Sequence, residues 1–98
     1  MYEKIKIFIS SYEFALIDKV LLWYCNFYKS HEKEHKISLI VANQLINKFD
    51  KYAGLEYIEL TNSELHYIIN VYECARIEEA FNCEELDKLI EKFKGYIQ

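Results

Sequence analysis

The chain has 98 residues, of which 52% are hydrophobic and 29% are charged, and its formal net charge is −4. This length suits a single domain spanning residues 1–98, and the apolar content excludes an intrinsically disordered chain. Folds with many strands need turns rich in glycine and proline. Because the chain has no proline and only two glycines, its composition favours helices joined by short links.

The pattern of residue types excludes both a membrane span and a disulfide framework. The longest apolar run, residues 20–25, is far shorter than the ~20 residues that cross a bilayer. The N-terminal residues lead into no cleavage-site pattern, so we expect no export. Three cysteines without a C-x-x-C pair indicate reduced thiols. We therefore expect a cytoplasmic protein with no membrane partner.

The charge is divided unevenly between the two halves of the chain. Residues 1–53 carry eight lysines and six acidic residues, a net charge of +2, whereas residues 54–98 carry four basic and ten acidic residues, a net charge of −6. Proteins that bind nucleic acid usually show a basic stripe, and an acidic half repels phosphate. The sequence therefore predicts no direct contact with nucleic acid.

The first predicted elements are a short strand and a long helix. Residues 4–9 begin with an alternation of polar and apolar side chains, which is the period of a strand. Ser10 and Glu13 have the spacing of an N-cap residue and its N3 partner in a capping box, and apolar residues flank both of them. Together these signals predict a helix over residues 11–28.

This first helix carries more apolar surface than one buried face requires. Two apolar stripes run along it, whereas a surface helix usually has one. Either the helix lies at the centre of a bundle, or one stripe meets a partner. Because aromatic residues are favoured at protein interfaces, the partner-binding candidates on this helix are Trp23 and Tyr28.

The link after the first helix contains a sequence that is typical of zinc metalloproteases. His31, Glu32 and His35 spell H-E-x-x-H, which on a regular helix places two imidazoles on one face and the glutamate beside a metal-bound water. Here the motif lies among charged residues such as Lys29 and Lys36. We expect an exposed connection with no metal and no catalytic residue. A small zinc-dependent hydrolase using this segment is the enzymatic alternative.

The second half of the chain repeats the first. A helix predicted over residues 36–53 is followed by an apolar alternation at 55–60 and by a second capping box, Thr61 and Glu64, which opens a helix over 62–80. The two capping boxes lie 51 residues apart. The second helix of each half carries the pattern Leu-Ile-x-x-Phe-x-x-Tyr, at an offset of 44 residues.

The repeat predicts a mostly α fold of four helices in two tandem αα-hairpins, residues 1–53 and 54–98. One hairpin buries too little surface alone, so the two units would pack about a pseudo-twofold axis. The segments at 4–9 and 55–60 either pair as a two-stranded ribbon or remain extended leads into their helices.

The last predicted helix, residues 83–95, opens among a concentration of acids. Asn82 and Glu85 have the spacing of a third capping box, flanked by Phe81 and Leu86. The acids would either contact a partner's basic face or form an ordinary solvated surface. They are Glu73, Glu78, Glu79, Glu84, Glu85, Asp87 and Glu91.

The capped hairpin resembles small helical-hairpin proteins of phages and Gram-positive bacteria, among them the AbbA-type antirepressors. The resemblance implies an acidic hairpin that dimerises and blocks a DNA-binding regulator. The first half repeats the pattern, although its surplus of lysines departs from a uniformly acidic surface. In the second half the pattern consists of Thr61, Glu64, Leu65, Ile68, Leu89, Ile90 and Phe93.

The sequence and the resemblance together favour a non-enzymatic inhibitor or adaptor that occupies the surface of a host protein. A phage or a mobile element would encode it, as an anti-defence protein or an antirepressor. It would need no cofactor, and a homodimer is left open. Besides the zinc hydrolase, the remaining alternative is a structural subunit that self-associates through its first helix.

Overall fold

A computed structural model describes residues 3–97, except for the side chain of Glu32. The predicted architecture, mostly α with four helices and a short ribbon, is confirmed. In chain order the elements are β1 (Lys4–Phe8), α1 (Ser11–Phe27), a 3-10 turn (Lys29–His31), α2 (Glu32–Tyr52), β2 (Tyr57–Thr61), α3 (Asn62–Ile77) and α4 (Glu84–Lys94).

Both capping boxes form as predicted. The Ser10 hydroxyl accepts a hydrogen bond from the Glu13 N–H at 3.2 Å, and the Glu13 carboxylate accepts one from the Ser10 N–H at 2.8 Å. At Thr61 and Glu64 the same two distances are 3.1 and 2.8 Å. The backbone angles of the two N-caps differ by only a few degrees. The two units therefore start their first helices in the same way.

The register of the ribbon places a pseudo-twofold axis through its centre. β1 and β2 are antiparallel, and Ile7 lies directly opposite Ile58. These residues are 51 positions apart, which is the offset of the repeat. Two equivalent residues can face each other in an antiparallel pair only where a twofold axis passes between them. Both side chains are fully buried, so the axis passes through the core.

Two reciprocal ion pairs extend this symmetry to the helices. Lys48 on α2 contacts Glu64 of the second capping box at 2.8 Å, and Lys92 on α4 contacts Glu13 of the first at 3.8 Å. The two lysines are equivalent at the offset of 44 residues. Each unit's second helix therefore contacts the capping box of the other unit, and Lys92 also donates to the Phe8 carbonyl. The two hairpins interlock.

The core lies between the ribbon and the helices. α1 packs against α2 and α3, and α3 packs against α4. The repeated Leu-x-x-x-Phe positions of α2 and α4 are all buried, and the Phe49 ring meets the Phe14 ring edge-on at 5.7 Å. The buried residues shared by the two units include Phe14, Ile17, Leu45 and Phe49 in the first and Leu65, Ile68, Leu89 and Phe93 in the second.

Two helix ends differ from the prediction by more than one residue. α2 begins at Glu32 and not at residue 36, with a kink at His35, whose φ of −115° and ψ of 18° are not helical. α3 ends at Ile77 and not at residue 80, because Glu79 adopts a left-handed φ of 54°. The Ala80 N–H then bonds back into the last turn, as in a Schellman motif.

The predicted capping box at Asn82 is wrong. The N-cap of α4 is Cys83, one residue later, and no side chain of the described residues caps it. The Cys83 carbonyl accepts the first helical hydrogen bond, from the Asp87 N–H at 3.2 Å. With Cys83 as the N-cap, Glu85 occupies position N2 and not the N3 position that a capping box uses. Asn82 remains in the link between α3 and α4.

Candidate partner-binding surface

Trp23 lies in the middle of three neighbouring aromatic rings, which we call the ring track. Its ring centroid is 5.0 Å from that of Phe27, four residues later on α1, and 6.2 Å from that of Phe81. Phe81 belongs to the link between α3 and α4. The Phe27 side chain is 44% exposed. The aromatic end of α1 and the acidic end of α3, which the sequence offered as alternative binding surfaces, are therefore adjacent.

Tyr28 connects these surfaces and is itself only partly exposed. Its ring lies 5.0 Å from the Phe27 ring and 4.2 Å from the His35 imidazole. Desolvation raises the pKa of Tyr28, and nearby Cys74 and Glu78 raise it further. Cys74 lies in the last turn of α3, and Glu78 is the C-cap residue of that helix. Tyr28 therefore supports the surface more than it presents a free side chain to a partner.

A hydrogen-bond network fixes three helices at the same end of the molecule. The Tyr24 and Ser38 hydroxyl oxygens are 2.6 Å apart, and the Tyr67 hydroxyl donates to the Ser38 carbonyl at 2.6 Å. Burial raises the pKa of Tyr67 to about 12, although the hydrogen bond to Ser38 opposes the shift. The network therefore joins α1, which carries Trp23, to α2 and α3.

The seven predicted acids are all exposed, but four of them already contact a lysine or a tyrosine. Glu84 pairs with Lys88 at 3.3 Å, and Asp87 accepts a hydrogen bond from the Tyr72 hydroxyl. Lys94 contacts the remaining two, Glu73 at 3.8 Å and Glu91 at 3.3 Å. The contacts of Asp87 with Tyr72 and of Glu73 with Lys94 join α3 to α4, whereas Glu84 and Glu91 pair with lysines within α4.

The remaining three acids have no basic partner among the described residues, and we call them the uncompensated acids: Glu78, Glu79 and Glu85. Glu79 lines a cleft together with Phe81, Asn82, Asp87 and Arg76. One of the three, Glu79, therefore lies beside the ring track, in the cleft that Phe81 also lines. This cleft carries both signs of charge, because Arg76 lines it together with Glu79 and Asp87.

The repeat provides an internal comparison for the apolar surface of α1. At the offset of 51 residues, Leu22 corresponds to Glu73 and Phe27 to Glu78. Leu22 is 49% exposed and Phe27 44%, and both glutamates are exposed as well. The same place in the same fold is occupied by apolar side chains in one unit and by acids in the other. The fold does not require apolar residues there.

The H-E-x-x-H segment lacks the regular helix on which the motif depends. His31 is the last residue of the 3-10 turn and the N-cap of α2. The kink at His35 separates the first turn of α2, which contains the motif, from the rest of that helix. The side chain of Glu32 lies outside the described part of the structure. Within that part, no group of three or more His, Cys, Asp or Glu side chains is arranged to hold a metal ion.

The sequence did not reveal a pair of neighbouring carboxyl groups, Asp18 on α1 and Asp50 on α2. The Asp18 Oδ1 atom is buried without a hydrogen-bond partner. Desolvation, which is the larger cause, and the neighbouring Asp50 carboxyl group together raise the pKa of Asp18 to about 6. The second unit has the buried Ile69 at the position equivalent to Asp18. Because Asp18 and Asp50 are far apart in sequence, no spacing rule would have paired them.

Comparisons of the chain with protein-family models, curated proteins and solved structures gave no match. Across residues 3–97, none of the helices combines the length and the apolar character that crossing a bilayer requires.

Proposed function

We propose that this protein is a non-enzymatic inhibitor or adaptor that occupies the surface of a host protein. It would be encoded by a phage or a mobile element and act as an anti-defence protein or an antirepressor. One observation carries the proposal: α1 exposes Leu22 and Phe27 where α3, the equivalent helix of the second unit, exposes Glu73 and Glu78. Apolar side chains that are exposed where folding does not need them are consistent with a binding surface.

The charges around this face favour a partner with a basic surface. The uncompensated acids Glu78 and Glu79 follow α3, and Glu79 shares a cleft with Phe81 of the ring track. There they would steer a basic partner toward the track and favour its orientation. The same acids repel the phosphates of nucleic acid. The proposed partner is therefore a protein, including one whose basic face normally contacts nucleic acid.

Affinity capture with paired variants tests this proposal. The double variant Leu22→Glu/Phe27→Glu gives α1 the residues that α3 has at the equivalent positions. The control is Ile40→Glu, which changes an exposed apolar residue of α2 to the residue found at the equivalent position of α4, Glu84. We expect a bacterial protein, identified by mass spectrometry, to be retained by the parent chain and the control and lost from the double variant. A partner retained equally by all three would contradict the proposal.

Self-association through the first helix is the second candidate, because the same exposed face of α1 would also suit another copy of the chain. Sedimentation equilibrium distinguishes the two proposals. A dimer of the parent chain that dissociates in Leu22→Glu/Phe27→Glu supports self-association, and a monomer in both supports a foreign partner.

A further inference from the structure

We propose that two copies of this chain exchange units, so that the first unit of each copy packs against the second unit of the other. The partner that fits the surface between the units is then a second copy of the chain. This inference goes beyond the proposed function and does not depend on it. It follows from the contacts between the units and from the backbone of the segment that connects them.

The contacts between the units can form equally well within one chain or between two. Ile7 faces Ile58 across the ribbon, and both side chains are fully buried. Lys48 of the first unit contacts the capping box of the second, and Lys92 of the second unit contacts the capping box of the first. A dimer with exchanged units contains two complete sets of these contacts, as in other cases of domain swapping. Exchange therefore removes none of the contacts that hold the units together.

The connection between the units is short and forms a tight turn. Four residues separate the end of α2 from the start of β2. The Leu55 N–H donates to the Tyr52 carbonyl at 3.0 Å, and Gly54 has a left-handed φ of 89°. Ala53 has a φ of −55° and a ψ of 131°. These angles are those of a type II turn, which requires a positive φ at its third residue, here Gly54.

This turn sets the balance between the monomer and the exchanged dimer. Both contain the same contacts between units, so they differ in the connection and in the freedom lost on association. A short link holds two modules at a mutual concentration in the millimolar range, so the parent chain should be monomeric well below about 1 mM. Besides Gly54, Glu56 also has a left-handed φ, of 61°. A higher cost of the closed turn shifts the balance toward the dimer, in which two turns are open.

Gly54→Val raises the cost of the turn without disturbing the core. Apart from the chain neighbours of Gly54, no atom of the described residues lies within 4 Å of the place its Cβ would take. A residue with a Cβ in the left-handed region lowers an equilibrium constant by a factor of about five to thirty. Because the dimer opens two turns, its dissociation constant should fall by at least about 25-fold.

The experiment compares the parent chain, Gly54→Val and a control, Glu79→Val. Each is unfolded in urea, so that the units separate, and refolded at about 0.01 to 0.5 mM, below the range in which the link alone keeps the parent monomeric. Sedimentation equilibrium then gives the dissociation constant. Glu79 also has a left-handed φ, of 54°, but it lies inside the second unit, so its variant should stay monomeric like the parent. Gly54→Ala is the milder variant if Gly54→Val does not refold.

A disulfide across the ribbon identifies the chain that supplies each strand. Lys6 and Glu59 lie opposite each other, and opposed residues of antiparallel strands have Cα atoms about 4.5–5.5 Å apart, which a disulfide can bridge. After oxidation, Gly54→Val/Lys6→Cys/Glu59→Cys should migrate as a dimer on a non-reducing denaturing gel. Gly54→Val alone, oxidised in the same way, controls for the native cysteines and should migrate as a monomer.

The outcomes distinguish this inference from the proposed function. A dimer that persists when Leu22→Glu/Phe27→Glu is added to Gly54→Val, with the disulfide between chains, supports exchange. Exchange is overturned if Gly54→Val stays monomeric, if Glu79→Val dimerises to the same extent, or if the disulfide forms within each chain of a dimer. A captured host protein that depends on Leu22 and Phe27 leaves the proposed function standing in each of these cases.

Discussion

The two units of this protein have equivalent residues where they pack against each other and different residues where they are exposed to solvent. The capping boxes at Ser10 and Thr61, the facing pair Ile7 and Ile58, and the buried Phe49 and Phe93 are equivalent in position and in role. On the outer side of the first helices the equivalence ends. Exposed Leu22 and Phe27 of α1 correspond to exposed acids of α3, and exposed Ile77 of α3 corresponds to Asn26 of α1. The shared positions specify the fold, and the divergent ones are free to serve binding.

The largest expected effect tests the equivalence of the two cores. Phe49→Ala and Phe93→Ala each remove a ring that is at most 1% exposed, and each should lower the free energy of unfolding by about 3–5 kcal/mol. Urea denaturation measures both. The milder changes Phe49→Leu and Phe93→Leu keep the comparison measurable if the alanine variants do not fold. Strongly unequal losses in the two units would break the pseudo-twofold account of the core.

Asp18 tests a position where the two units differ inside the molecule. Its pKa is raised from 3.8 to about 6, so between these pH values the folded chain keeps a proton that the unfolded chain has lost. The contribution of Asp18 to the free energy of unfolding therefore falls as the pH rises from about 4 to 6. Asp18→Asn should remove that part of the pH dependence and stabilise the protein at pH 7, by on the order of 1–2 kcal/mol.

The measurement is the difference in the free energy of unfolding between the parent chain and Asp18→Asn as a function of pH, since other carboxyl groups also titrate in this window. Lys19→Gln, at the neighbouring exposed position, serves as the control. A difference that does not change with pH would contradict the assigned burial of Asp18.

The caps provide a smaller and more local test. Ser10→Ala and Thr61→Ala should each lower the free energy of unfolding by about 1 kcal/mol. Thr61 is less exposed than Ser10, and the Glu64 of its box also pairs with Lys48, so its loss should be the larger of the two. Thermal denaturation of the two variants in parallel measures this order. The reverse order would indicate that the ion pair does not support the cap.

The smallest effect concerns the end of α3. Glu79 has a left-handed φ of 54°, which a residue with a side chain adopts at a penalty and glycine adopts freely. Glu79→Gly should therefore stabilise the protein, by about 0.5–1 kcal/mol. Glu78→Gly, at the preceding position with a negative φ, should destabilise it. The two melting temperatures, measured side by side, decide between a strained helix end and a general effect of removing an acid.

The elements that could be predicted from the sequence depend on local chemistry. The boxes Ser10–Glu13 and Thr61–Glu64 satisfy each helix start within four residues, and the alternation in the ribbon matches its buried face. Where two local signals compete, the prediction failed. Asn82 has the better capping side chain, yet the chain enters α4 at Cys83. The kink at His35 likewise has no signature in the sequence.

The candidate surface was predictable only in pieces. Trp23 and the acids after α3 each carried a signal, but the contact between Trp23 and Phe81 joins residues that are far apart in the chain. The pairing of Lys94 with Glu73 is also a consequence of how α3 packs on α4. Both depend on the interlocking of the two units, so the sequence alone left the aromatic and acidic surfaces as separate alternatives.

The central claim is that the outer face of α1 is apolar for binding and not for folding. The most direct measurement is the free energy of unfolding of Leu22→Glu/Phe27→Glu, obtained by urea denaturation beside the parent chain. If folding does not need these side chains, the loss should stay below about 1 kcal/mol, as for other exposed positions. A loss of about 3 kcal/mol or more, the size that truncation of a core residue produces, would contradict the claim.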